Sequence, residues 1–520
     1  MSLGRTLAVA LQGLDGTVVE VEAHVATGLP AFTVVGLPDS SMLQARDRVR
    51  AAAAHIGHSL PSRRITVNLV PAWLPKHGSG FDLAVAVAVL TAQGVIPPDS
   101  PRQTLHLGEL GLDARLRPVP GVLPALVAAR DRGVTRAVVP ADCFDEARLV
   151  EGMNVLAAED LAAVARVHGA PVRMRGRAGL PVRGGTHGAS LRGVDTPALG
   201  AVSPDFADVI GQAQARAAAE VAAAGGHHLL LVGPPGAGKT MIATRLPSIL
   251  PDLSMEESLV VSSLHSLAGR FRAADGLIRR PPFEAPHHTA TTAAVVGGGS
   301  GTAAPGAISR AHGGVLFLDE APEFPSGVLE ALREPLERGD ITLHRSRAVV
   351  RYPARFQLVM AANPCPCGHG GGRGERCTCT SLQRRRYAAR LSGPVLDRID
   401  LRIDVPPADT RRVMTGGGEE SSAVIAARVA AARRRQEDRF ADLPFRRNCE
   451  IPGPLLRRDF RAAPAEQRLL QHAVEAGRLS LRGHDRVMRV AWTLADLAGA
   501  DRPGADHVGQ ALQLRGSDRR

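Results

Sequence analysis

Residues 233–240 read GPPGAGKT, and no other stretch restricts the possible folds of this chain as much. It matches G-x-x-x-x-G-K-[ST] at every defined position. It follows an apolar run at 229–232 that reads as a strand, and MIATRLPSIL after it reads as a helix. Strand, glycine loop and helix in that order make a phosphate cradle. Gly236 and Gly238 let the backbone curl until successive N–H groups point inward. Gly233, Pro234, Pro235 and Ala237 complete the loop. The helix beginning near Lys239 adds its positive end. Lys239 is placed to reach terminal phosphates, and the Thr240 hydroxyl suits Mg²⁺. Among 63 Lys+Arg residues only two are lysines, Lys76 and Lys239. The broad guanidinium fork does not replace a slim ammonium between phosphates. A chain that otherwise avoids lysine has kept one here, so ATP with Mg²⁺ is the expected cofactor.

At 520 residues the chain is expected to form about three domains. No window approaches the uninterrupted apolar length of a membrane span, and the N-terminus lacks a signal-peptide layout; a cytoplasmic protein is expected. The net charge of +12 favours a polyanionic partner, nucleic acid first, although an Arg-rich composition from a GC-rich genome explains it equally well. Aromatic residues are only 3%, which argues against a base-stacking platform, so any nucleic acid would be held by its phosphates.

Residues 1–168 alternate β-rich runs (TVVEVEAHV, FTVVGL, ITVNLV, AVVP) with Ala-rich helical stretches, giving an α/β domain. Residues 169–203 carry Gly, Arg, Pro and Thr without apolar period and read as a linker. Residues 204–405 hold the phosphate loop and its partners. Residues 406–520 turn mostly helical.

A second diagnostic run is GGVLFLDE. Its apolar residues suit a buried parallel strand. Asp319 at the strand end can hold the Mg²⁺ shell, and Glu320 can polarise the attacking water. The run FQLVMAANP ends in Asn363, an amide able to orient water near the γ-phosphate. In LSGPVLDRIDL, Arg398 could reach a neighbour's nucleotide as an arginine finger; the plain alternative is an ion pair with Asp397 or Asp400. Arg489, in DRVMRVAWTLADL, could contact phosphates from the helical region, with Arg486 one turn away. The run GDITLHRSRAVVRYP reads as a hairpin with a basic tip, Arg345 and Arg347, suited to a phosphate backbone. His287 and His288 in PHHT could be a second contact to DNA, or pass for metal ligands. Cys365, Cys367, Cys377 and Cys379 form C-P-C-x9-C-T-C around a Gly-rich loop. Two thiolate pairs of this kind can close round Zn²⁺, with His369 as a substitute ligand; reduced free thiols are the alternative.

The order phosphate loop, acidic strand end, Asn-tipped strand, arginine and helical lid is that of AAA+ ATPases. The segments DFADVIGQAQARAAAEVAAAGGHHLLLVGPPGAGKT, PFEAPHHTATTAAVVGGG, PGAISRAHGGVLFLDEAPEF and NPCPCG resemble the magnesium-chelatase-like YifB/ComM family over nearly the whole chain. The resemblance implies an α/β chain: a Lon-protease-like N-terminal domain, a P-loop AAA+ parallel-sheet core and an α-helical lid. It implies that Val209 and Ile210 line the adenine pocket. It implies an insert around 280–310, a hairpin around 339–353 that faces the pore of a homo-hexamer, and action on single-stranded or branched DNA. In the Lon-like domain the peptidase serine position falls on Gly80 and the lysine position on Leu123, neither capable of the chemistry. A displaced Ser79–Lys76 dyad is the remaining peptidase reading, against a structural Asp82–Lys76 pair. The leading expectation is a DNA translocase or branch-migration helicase; a chelatase-type motor subunit and a protein-remodelling chaperone are the alternatives.

Overall fold

A computed structural model of the chain describes residues 3–172, 204–299, 303–344, 349–370, 377–391, 393–407, 414, 418–476 and 479–515. The linker at 173–203 and the hairpin tip with Arg345 and Arg347 lie outside the described residues.

The N-terminal domain is built on strands β1 (Leu3–Gln12), β2 (Asp15–Ala26), β3 (Ala31–Val35), β4 (Arg64–Val70) and β5 (Thr104–His106), the short pair β6 (Glu109–Leu110) and β7 (Leu116–Arg117), and then β8 (Arg136–Pro140) and β9 (Asn154–Ala158). Seven of these form one mixed sheet in the order β3-β4-β2-β1-β5-β8-β9. The helix Asp82–Ala92 is buried at every position and apolar apart from Asp82 and Thr91, as befits a helix enclosed within a core. Ala170 and Val172 still pack into this core, beyond the last helix, Leu161–Val167.

The second domain carries β10 (Leu229–Val232), β11 (Phe283–Glu284), the short pair β12 (Gly297–Gly298) and β13 (Ala304–Pro305), β14 (Val315–Leu318), the hairpin β15 (Asp340–His344) and β16 (Val349–Pro353), β17 (Gln357–Ala362) and β18 (Leu401–Asp404). Its main sheet has the order β11-β14-β17-β10-β18, and every pairing in it is parallel. β14 and, after its first residue Gln357, β17 are buried apolar runs, as strands covered on both faces must be. Burying each Val, Leu or Phe side chain there contributes about 2 kcal/mol.

The C-terminal helices Ser422–Arg439, Pro464–Glu475, Leu481–Leu497 and Ala505–Arg515 share one apolar core with this sheet and with the helix Ala213–Gly225. The insert and the hairpin belong to another core on the sheet's far side, where Val295, Ala303, Leu343 and Tyr352 meet. Leu14, at the β1–β2 turn, packs against that same cluster, so the N-terminal domain touches the hairpin layer. Among the described residues no helix is long and apolar enough to cross a membrane.

Candidate nucleotide-binding and hydrolysis site

The phosphate loop leaves the C-terminal end of β10 and enters the helix Lys239–Arg245. Gly236 and Gly238 take φ of 76° and 91°, with open space where a Cβ would stand. Backbone conformation, not crowding, therefore demands glycine at both. The Lys239 ammonium is buried and donates to the Gly233 carbonyl at 2.6 Å, the Pro234 carbonyl at 2.9 Å and Asn363 Oδ1 at 3.1 Å. Burial pulls its pKa down, while Asp319 and Glu320 oppose that shift. Asn363 stands immediately after β17, the neighbour of β10, so parallel pairing brings the amide to the lysine.

Asp319 follows β14, the next strand outward. Its Oδ2 accepts from Thr240 Oγ1 at 2.7 Å, and its Oδ1 from the Glu320 N–H at 2.9 Å. An exposed hydroxyl beside a carboxylate is the hard-oxygen donor set that Mg²⁺ prefers. Glu320 has φ of 51°, uncommon for a residue with a side chain and typical of functional sites. Its carboxylate is half exposed, and Oε2 lies 3.3 Å from His288 Nδ1. The ring of His287 lies 4.1 Å from that of His288. The parallel register of β11 with β14 brings the loop carrying His288 to Glu320.

Val209 is buried and Ile210 half-buried. The Val209 carbonyl accepts from Arg216, and Gln212 ties this segment to the Ala237 carbonyl of the phosphate loop at 3.1 Å.

Two arginines stand elsewhere. Asp400, just before β18, accepts from Arg486 at 2.6 Å, and its N–H bonds the His228 carbonyl just before β10. Both mark the N-terminal strand ends, about 13 Å of strand from the phosphate loop. Arg489 donates to the Ile451 carbonyl at 2.9 Å on this side. Arg398 lies on this side too; burial lowers its pKa, and the nearby Arg333, Arg486 and Arg482 lower it further. Its carboxylate partner is Glu337; Asp397 pairs with Arg482 instead.

The Sγ atoms of Cys365, Cys367, Cys377 and Cys379 lie within 4.8 Å of one another. Cys365 and Cys367 each stand 3.8 Å from Cys377 and 3.3 Å from each other. A tetrahedron of metal–sulfur bonds of about 2.3 Å has edges of about 3.8 Å, so the residues fit zinc. The cluster begins two residues after Asn363. Gly368, at φ 79°, is pressed on the phosphate loop: a Cβ there would lie 2.6 Å from Pro235 Cδ.

In the N-terminal domain Lys76 donates to the Gly36, Leu69 and Pro71 carbonyls, while Ser79 donates to Glu109. Asp82 pairs with Arg48, not with Lys76. Leu123 is fully buried. No serine–lysine dyad forms among these residues.

An all-parallel sheet in which the phosphate-loop strand pairs with an Asn-tipped strand, and that strand in turn with an acid-tipped one, defines an AAA+ ATPase. The family described as magnesium chelatase, subunit ChlI, matches residues 205–413, with its companion ChlI regions at 21–143 and 419–515. The chain is 51% identical over 519 residues to the uncharacterized protein Rv2897c of Mycobacterium tuberculosis, covering 99% of each. It is 40% identical to the uncharacterized protein YifB of Escherichia coli, covering 100% of this chain and 98% of YifB. It is 38% identical to competence protein ComM of Haemophilus influenzae, covering 99% and 98%. The chain belongs to the magnesium-chelatase-like YifB/ComM family of AAA+ proteins.

Proposed function

We propose that this chain is an ATP-driven ring motor that moves on single-stranded or branched DNA, a translocase or branch-migration helicase assembled as a hexamer in the cytoplasm. The observation that carries the DNA part is full-length likeness to a protein named for competence, in a chain of net charge +12. Thr240 and Asp319 would hold Mg²⁺, which supplies charge neutralisation at the phosphates. Lys239 neutralises the terminal phosphates, Asn363 orients water, and Glu320 takes a proton from it. Arg398 stands away from its own phosphate loop, which suits a residue acting on a neighbour's nucleotide. Arg489, on the same side, belongs with it in that role. Zinc held by the four cysteines would be structural.

Arg345 and Arg347, between β15 and β16, are proposed to grip phosphates in the ring channel, with His287 and His288 as further contacts. Replacing both arginines by alanine should weaken DNA binding and flatten its salt dependence by about one unit of slope per lost duplex phosphate contact. Basal nucleotide binding should survive. Unchanged affinity and slope would remove the hairpin from this role. The ChlI match favours a second reading, a motor that remodels a protein partner. In that case DNA would neither bind nor alter ATP turnover.

A further inference from the structure

The N-terminal domain holds a cleft that neither the phosphate loop nor the peptidase positions use. Its volume is about 530 Å³, in the range of small-molecule sites. Four segments meet around it: the end of β2, the turn after the helix Ser40–His55, the residue before β4 and the end of the helix Asp82–Ala92. That last helix is about 16 Å long and has Ser79 and Gly80 at its other end, so the cleft is not a remnant of a peptidase centre. Both helices stop at left-handed glycines, Gly57 and Gly94. Their final turns are closed by the His58 N–H on the Ala53 carbonyl at 2.9 Å and the Val95 N–H on the Leu90 carbonyl at 3.0 Å. The last carbonyls are thus spent inside the caps and do not oppose an anion in the cleft. The polar lining consists of Thr27, His58, Ser59, Arg63 and Gln93, with no carboxylate among the lining residues. Among the described residues none of these five side chains has a hydrogen bond or ion pair within the protein, and Gln93 Nε2 is buried without one. A buried donor left unmatched is rare in a folded protein, and an acceptor from a ligand accounts for it. Val25, Pro61 and Val95 give the cleft an apolar wall.

We propose that this cleft binds a small phosphate monoester, its phosphate held by Arg63 and His58 and its apolar body laid against Val25 and Val95. The guanidinium fork matches two phosphate oxygens at once, and a cation with no counter-charge in the protein favours an anionic guest. Hydroxyl, imidazole and amide groups beside it suit a guest with three acceptor oxygens better than a carboxylate with two. One arginine beside an apolar wall suits a single phosphate, whereas a polynucleotide backbone needs a row of cations. The site stands apart from the ATP site and does not depend on the DNA reading above.

The test is isothermal titration of phenyl phosphate into the full chain carrying Lys239→Ala, which removes the phosphate-loop ammonium and leaves the cleft intact. One saturable site per chain is expected. Adding Arg63→Ala should weaken binding by about tenfold or more, as loss of a charge-assisted hydrogen bond does. Arg63 is exposed, so the fold should survive its loss; should it not, His58→Ala carries the same direction of change. Inorganic phosphate has no body to cover the apolar wall and should bind about tenfold more weakly than phenyl phosphate. Absence of saturable binding, or an affinity unchanged by both substitutions, overturns the site. Inorganic phosphate binding as tightly as the monoester overturns the assigned ligand class. So does a single-stranded oligonucleotide that binds in an Arg63-dependent way where phenyl phosphate does not.

Discussion

At the residue scale, the phosphate loop, Asp319 and Asn363 are readable because each ends a short apolar run, and a parallel sheet gathers such ends at one edge. Glu320→Gln should keep ATP binding, since Lys239, Thr240 and Asp319 are untouched, while kcat falls by about 10²-fold or more. Tight binding of a fluorescent ATP analogue with turnover near the wild-type rate would show that another group activates water. The placement of Arg489 and Arg398 is what strand-end reasoning leaves open. Sequence order says that both follow the phosphate loop but not which end of the sheet they approach. That is decided by Asp400, which packs before β18 and draws Arg486, and with it the whole helix Leu481–Leu497, to the N-terminal strand ends. Burial pushes the Asp400 carboxyl up, but Arg486 and the adjacent His227 more than offset it, leaving its pKa below the usual range. A depressed folded pKa contributes stability that is present above the unfolded value, near 4, and lost as pH falls through the folded one. Asp400→Asn at neutral pH leaves Arg486 without its buried counter-ion and should cost about 3 kcal/mol in chemical denaturation. A loss within experimental error of zero would mean that the pair does not anchor the helix.

At the scale of elements, the helical and β-rich runs of the N-terminal domain map onto the structure closely: SSMLQARDRVRAAAAH, DLAVAVAVLTA and VLPALVAARD are helices, and TVVEVEAHV, ITVNLV and AVVP lie in strands. β1 was legible only as an apolar patch, because LGRTLAVALQ mixes polar and apolar residues at a strand buried on one side of a long antiparallel pair with β2. The hairpin was legible from its period, while its anchorage to the insert was not, since Gly297 and Tyr352 are far apart in sequence. The cysteine segment gives this scale its prediction. Because Gly368 rests on Pro235, the cysteine cluster and the phosphate loop form one packed unit. Protein purified without chelator should carry one zinc ion per chain by elemental analysis. Gly368→Ala should weaken ATP-analogue binding while retaining the metal, since a methyl group must displace Pro235. Retained nucleotide affinity in that variant would separate the two elements, and metal-free protein that is folded and active would remove the clip.

At the scale of the whole molecule, the C-terminal strand ends of the ATPase sheet carry the candidate nucleotide residues and the opposite strand ends carry an arginine cluster around Arg398. In the proposed ring, the arginine of one copy serves the phosphate loop of the next. Mixing Arg398→Ala subunits with Lys239→Ala subunits should therefore restore part of the lost turnover, because some interfaces pair an intact loop with an intact arginine. Absence of rescue in rings shown to be mixed would place Arg398 in a structural role with Glu337. The N-terminal domain reaches the same machinery through Leu14 and through Ser266, whose hydroxyl donates to Glu146 at 2.5 Å across the domain boundary. The central claim is that ATP hydrolysis at this site is coupled to DNA. The most direct test is the steady-state ATPase rate of the wild-type chain at low salt, with no DNA, with single-stranded DNA and with a branched junction. The coupled motor predicts a rate raised several-fold by at least one of the two DNA forms, lost again as salt is increased. A rate identical in all three conditions, with no DNA bound at low salt, would contradict it and leave the protein-remodelling reading in its place.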